Sequence, residues 1–188
     1  MRAILQSETY QRTSAPLPEN AADTRFYSRY YPRRMMAEVL LDSLSEATDA
    51  PTEFKDFPKG WRAMQLPDSN VDSYFLKSFG RPDREKTCEC ERTAEPNVTQ
   101  VLHLANGDSI NKKLEAKHNV IAKWLADKTT PDRIVEEAYL SALSRHPTKV
   151  EKDKILKILN DAGQKDERAA LEDLCWAILS SKEFLFNH

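Results

Sequence analysis

Apolar residues recur at helical spacing most clearly in the last third of the chain. After Thr130 and Pro131, the residues Ile134, Val135, Ala138, Tyr139, Ala142 and Leu143 form one stripe of 3.6-residue period. Pro131 suits the first helical position, where a missing N–H is no loss. Thr148-Lys149-Val150-Glu151 has the spacing of a capping box, in which the hydroxyl and the carboxylate each accept from an otherwise orphaned backbone N–H. It opens a second helix with Ile155, Ile158, Leu159 and Ala162 ahead of Gly163. A third helix, from about Glu167, repeats the pattern with Leu171, Leu174, Cys175 and Ile178. Amphipathic helices joined by such short connections bury their stripes as an antiparallel bundle.

Upstream the signals are more scattered. The stretch from Ala3 to Tyr10 reads as the end of a helix with no capping residue before it, which suggests a helix that begins further upstream. Residues 11–24 are polar, with Pro16 and Pro18, and read as a loop. Met36, Leu40 and Leu44 follow at helical spacing with Val39 and Ala47 beside them, and Pro32 fits the first turn of that helix. Between Asp49 and Asp68, Pro51, Pro58, Gly60 and Pro67 break any period, while Phe54, Phe57, Trp61, Met64 and Leu66 supply anchors for a packed loop. Short helices are expected over Val71–Phe79, closed by Gly80, and over Glu95–Asn106, between Pro96 and Gly107. The middle, about 49–95, is therefore loop-rich within a mainly helical, all-α chain. Only four glycines occur, too few for a sheet built on tight hairpins.

At 188 residues the chain suits a single helical domain. A net charge of −2 offers no field to gather phosphate backbones, so nucleic acid is not an expected partner. No apolar run approaches the roughly 20 residues that cross a bilayer. Met1 to Tyr10 lacks the pattern of a secretory signal.

Several segments resemble the domain of unknown function fifteen fifty-three, a family seen mainly in planctomycete bacteria. They are Ser7-Glu8-Thr9-Tyr10-Gln11, Tyr27-Ser28-Arg29, the run Arg33 to Leu40, and Phe79-Gly80-Arg81-Pro82. More specific are Cys88-Glu89-Cys90-Glu91-Arg92, Leu102-His103-Leu104-Ala105-Asn106-Gly107 and the run Ala177 to His188. The resemblance implies the C-terminal portion of a larger, exported multidomain protein. In such proteins a related upstream domain, and often a c-type cytochrome domain, comes first. It implies an extracytoplasmic setting, a partner in that upstream domain or another protein, and no established activity. No Cys-x-x-Cys-His for covalent haem occurs, so no cofactor is expected on this chain.

The sharpest chemical feature is the Cys88-x-Cys90 pair. Two thiolates at that spacing can share a soft metal, but zinc usually takes four ligands, and completing a site needs His103 or His118 to fold nearby. Structural thiols, paired or buried, are the plainer reading, and a ligand- or metal-binding centre at Cys88, Cys90, Arg92 and His103 is the rival. Arg25, Arg29 and Arg33 recur every four residues beside Tyr27, Tyr30 and Tyr31, so a helical turn here displays guanidinium groups able to grip a carboxylate, sulfate or phosphate. Ordinary ion pairs with the 30 acidic residues are the plainer reading, for Arg81, Arg84 and Arg92 as well. Cys175 sits on an apolar stripe and reads as core. Trp124, Trp176, Phe184 and Phe186 read as packing anchors, and His146 as a turn residue. No familiar catalytic signature occurs, so nothing in the sequence argues for an enzyme.

Thiolate ligands must lose their protons to bind metal, so a zinc site would empty on acidification or chelation with a fall in thermal stability. We expect purified protein to carry no stoichiometric zinc and the cysteine pair to respond to reductant instead. Elemental mass spectrometry finding about one zinc per chain, lost in Cys88→Ser/Cys90→Ser, would promote the metal reading to first place.

Overall fold

Leu40, Leu41 and Leu44 lie on one side of helix α2 (Ala37–Thr48), and all three are buried in one continuous core. They do so in a computed structural model that describes residues 1–11, 14–26, 28–67, 71–81, 100, 108–163 and 166–187. Helix α1 (Arg2–Leu5) comes first and strand β1 (Arg33–Arg34) precedes α2. A 3-10 turn (Ala63–Gln65) and helices α3 (Tyr74–Ser78), α4 (Asp108–Leu114) and α5 (Val120–Ala126) follow. The C-terminal part comprises α6 (Pro131–Leu143), α7 (Lys149–Ala162), α8 (Glu167–Leu179), α9 (Lys182–Leu185) and strand β2 (Phe186–Asn187). The described residues are mainly helical, as the apolar periodicity predicts, and no helix among them is long and apolar enough to cross a membrane.

Helix α6 is the middle layer. It packs on α2 through one side and on α7 and α8 through the other, and Ile134, Val135, Ala138 and Tyr139 of its predicted stripe are all buried. Helix α8 buries Leu171, Leu174, Cys175, Ile178 and Leu179 against α4, α5 and α6. Thr130, Thr148 and Gly163 end their helices where the sequence places them, and the Thr148/Glu151 capping box is formed on both sides. Strands β1 and β2 pair antiparallel, with Arg33 opposite Asn187 and Arg34 opposite Phe186, and the Met35 N–H donates to the Leu185 carbonyl at 3.0 Å. Residues more than 150 positions apart are thereby fastened together.

Polar side chains fix what the irregular segments leave loose. The Asp42 carboxylate on α2 accepts from the N–H groups of Ala63 and Met64 at 2.7 and 3.1 Å, anchoring the 3-10 turn. Asn119, wholly buried, donates to the Lys113 and Leu114 carbonyls at the end of α4 and accepts from the Ala122 N–H, so one amide closes α4 and opens α5.

Some expectations change. The opening helix stops at Leu5 and continues as turns rather than to Tyr10. Pro32 precedes a strand, not a helix, because Arg33 and Arg34 are taken by β2 and α2 begins only at Ala37. Met64 is exposed while Phe54 and Leu66 are buried, since the 3-10 turn aims Ala63 inward in its place. Trp176 is partly exposed on the far side of α8 from the core. The expected Glu95–Asn106 helix lies outside the described residues apart from Gln100, which is helical. Helices α4 and α5 are absent from the periodic reading. In α4 the positions Ile110, Lys113 and Leu114 all face inward, so a lysine interrupts the apolar stripe.

The largest correction concerns α7, which buries none of its residues fully. Ile155 and Leu159 are only partly covered, and Ile158 is 63% exposed. Leu174→Ala should therefore cost about 2–5 kcal/mol as a core truncation, while Ile158→Ala and Lys157→Ala should each stay within about 0.5 kcal/mol. Urea unfolding of the three variants checks this, and equal losses would mean that α7 belongs to the core.

Candidate functional site

The uncovered side of α7 faces α8 across a groove of about 610 Å³, with Tyr139 and Leu143 of α6 at its base. One wall carries Ile155, Ile158, Leu159 and Ala162 of α7; the other carries Ala169, Ala170, Leu174, Ala177 and Ile178 of α8. The groove exists because α8 presents alanines where a packed helix pair would interdigitate larger side chains.

Arg145 closes one end. Ser144, the residue before it, adopts a left-handed conformation with φ 57° that terminates α6. The Arg145 guanidinium donates to Glu183 through Nε at 2.6 Å and Nη2 at 2.9 Å, and to Glu151 through Nη1 at 3.0 Å and Nη2 at 2.9 Å. It also lies 5.2 Å from the centre of the Tyr139 ring. Glu151 accepts in addition from the Thr148 N–H and hydroxyl, each at 2.7 Å, so the capping box and the ion pair share a carboxylate. These bonds, first from Arg145 and then from Thr148, hold the Glu151 carboxyl down at about 2 from its ordinary 4.5. The Glu183 and Glu151 partners raise Arg145 above its usual value.

The other carboxylates of the groove are Asp166 and Asp173, seven residues apart on the α8 side. Both are exposed and form no ion pair among the described residues. The lining thus sets four carboxylates against one guanidinium, and that guanidinium is already shared by two of them.

A second polar centre lies under α2. Lys113 Nζ donates to the Ser45 hydroxyl at 3.0 Å, the Thr52 hydroxyl at 2.8 Å and the Ala50 carbonyl at 2.5 Å, beside a cleft of about 280 Å³ lined by Ser45, Thr52, Trp61 and Arg62. Burial pushes this ammonium down to about 8, against a smaller upward pull from Asp42. A lysine of lowered pKa touching a serine has the elements of a base and nucleophile. The Ser45 hydroxyl, however, donates back to the Leu41 carbonyl of its own helix at 2.9 Å, and all three ammonium hydrogens have acceptors. The group serves as a buried cap for the end of α2 and the loop after it.

The sequence-derived candidates do not converge. Residues 24–26, 28 and 29 form bends rather than a helical turn, so Arg25, Arg29 and Arg33 share no helix face. The Asp23 carboxylate organises that segment by accepting from the N–H groups of Arg25, Phe26 and Ser28, which hold its carboxyl well below the usual range. Arg25 lies against Phe26, Arg29 stacks 4.5 Å from the Tyr31 ring centre, and Arg33 is exposed on β1. Arg81 is buried 3.6 Å from Glu38 and donates to the Leu66 carbonyl, in keeping with a structural role. Cys88, Cys90, Arg92 and His103, and also Tyr27, Arg84 and His188, lie outside the described residues. His118 is exposed, and among the described residues no three His, Cys, Asp or Glu side chains converge on a metal-sized point. Cys175 is buried, and desolvation pushes its thiol up to about 12. The sequence reading missed Arg145 and Glu183 because they meet across 38 residues, and it passed over Asp166 and Asp173, whose seven-residue spacing is visible but does not stand out in so acidic a chain.

Compared with known proteins, residues 1–159 match the family described as PSD1, Protein of unknown function (DUF1553). No curated protein and no solved structure matches the chain.

Because the folded Glu151 carboxyl titrates near 2 instead of 4.5, its contribution to stability is fully present above pH 4.5 and is lost as the pH falls through about 2. Glu151→Gln should lower the unfolding midpoint at pH 7, with the gap from the parent closing as the pH drops across that window. Denaturant titrations along a pH series read this, and a constant gap would show that Glu151 acts through something other than its charge.

Proposed function

The chain belongs to the PSD1 family of proteins of unknown function (DUF1553), and from that premise we propose that it is a non-catalytic helical module that docks another polypeptide segment through the α7/α8 groove. The observation that carries this reading is the open apolar groove itself. A helix with an apolar stripe normally buries it against a neighbour, yet α7 keeps Ile158 63% exposed and shares a cleft of about 610 Å³ with α8. Clefts of this size and apolar lining are where proteins receive ligands or partner side chains. The strongest candidate for a catalytic pair, Lys113 with Ser45, is hydrogen-bonded as a helix cap, which favours an interaction role over chemistry.

The wider setting is proposed on the resemblance carried by Cys88-Glu89-Cys90-Glu91-Arg92 and the run Ala177 to His188. On that basis this single helical domain is the C-terminal part of a larger extracytoplasmic bacterial protein, associated in its family with c-type cytochrome domains. Its partner is the upstream domain of the same polypeptide or another protein. The zinc measurement on Cys88 and Cys90 separates this reading from a metal-binding one.

Nile red, a neutral apolar dye, should bind the native protein with a blue-shifted emission and lose that binding in Ala177→Trp, which fills the groove from an exposed helix position. A native protein that leaves the dye spectrum unchanged would sink the proposal, since the groove would then be closed in solution.

A further inference from the structure

The groove's charge pattern says more about the occupant than its apolar floor does. We propose that it receives a cationic amphipathic helix, whose basic residues seven positions apart meet Asp166 and Asp173; this rests on the docking role given to the groove above. Both walls are helices, and α7 with its 14 residues runs about 21 Å, a length suited to a partner helix of three to four turns. Ala162, Ala169, Ala170 and Ala177 leave room for the backbone of such a helix to come close, and the apolar residues beside them offer it a floor.

Asp166 and Asp173 stand two turns apart, so their carboxylates repeat at about 10 Å along α8. Lysine or arginine at i and i+7 of a helix laid in the groove repeats at the same spacing. Arg145 does not answer the two aspartates, because its donors are directed to Glu151 and Glu183. Lys152 of α7 does not answer them either, since it pairs with Asp132 and Glu136 of α6 at 2.9 and 2.7 Å. An acidic helix would meet like charge on entry. A second copy docked groove to groove would set the same carboxylate rims against each other. A small apolar molecule would leave the two carboxylates without a role. Charge complementarity selects the basic helix.

Two fluorescein-labelled synthetic peptides of about two heptads, the length of α7, test this, each with a leucine face, one flanked by lysines at seven-residue spacing and the other by glutamates in their place. Fluorescence anisotropy should show binding of the leucine/lysine peptide and none of the leucine/glutamate peptide. Affinity for the former should fall at least about tenfold in Ala177→Trp, which fills the groove without changing its charge, and likewise in Asp166→Asn/Asp173→Asn, which removes charge without changing shape. Asp166 makes no side-chain cap, and among the described residues neither aspartate forms an ion pair whose loss would threaten folding; circular dichroism checks both variants. Equal binding of the two peptides, or lysine-peptide binding that survives Ala177→Trp, would overturn the proposal by showing unspecific attraction to an acidic surface. A concentration-dependent dimer in sedimentation that Ala177→Trp dissociates would also overturn it, by giving the groove to a second copy. In each overturning case, Nile red binding that persists in the parent protein leaves the docking role itself standing.

Discussion

A guanidinium with five N–H donors can hold two carboxylates at once, and the placement of α7 depends on Arg145 doing so. Glu183 belongs to α9 and Glu151 to the first turn of α7, so one side chain in the α6–α7 turn fastens both elements. This matters because α7 buries no residue fully: Ile155, Leu156 and Leu159 pack only partly against the core, and its other polar tie, Lys152 to Asp132 and Glu136, also leads to α6. Ion pairs this exposed usually contribute little singly. Here the bidentate geometry, the shared capping box and the Tyr139 ring beneath the guanidinium combine into a network.

Buried polar groups play the same positioning role nearer the core. Lys113 enters it to cap the end of α2, and Asn119 closes one helix while opening the next. Each satisfies carbonyls or N–H groups that a helix end or loop leaves over, and an unpaired buried carbonyl costs more than the net gain of an ordinary hydrogen bond. Arg168 repeats the device at the same helix end, donating to the Leu114 and Ala116 carbonyls while paired with Glu172. In a chain with long irregular connections, the helix termini are thus held by long side chains rather than by short loops.

The groove follows from these choices. Helix α7, tied at its N-terminal turn, meets a helix lined with alanines, and the space those small side chains leave unfilled lies open. Ala169, Ala170 and Ala177 line the groove with Ile158, and their smallness leaves its side chain accessible. The carboxylates of Asp166 and Asp173 add to that surface a preference by charge, which an apolar cleft alone lacks.

Much of the C-terminal part was legible in the residue pattern. The 3.6-residue stripes, the Thr148/Glu151 box and Gly163 place α6, α7 and α8, and Leu171, Leu174, Cys175 and Ile178 are buried as their spacing predicts. These are local properties, set within a turn or two of helix. Whether an apolar stripe finds a partner is not local. Ile158 lies on a stripe as regular as that of α8 yet faces solvent, because its cover depends on the size of residues on another helix. Helix α4 was hidden for the converse reason: Lys113 reads as a surface residue until the Ser45, Ala50 and Thr52 oxygens, more than 60 positions away, are brought round it. The sequence by itself determined the strongly periodic helices and their apolar stripes; only the tertiary structure decided which stripe stayed open and which charges pair, because both depend on distances between residues that the chain order keeps far apart.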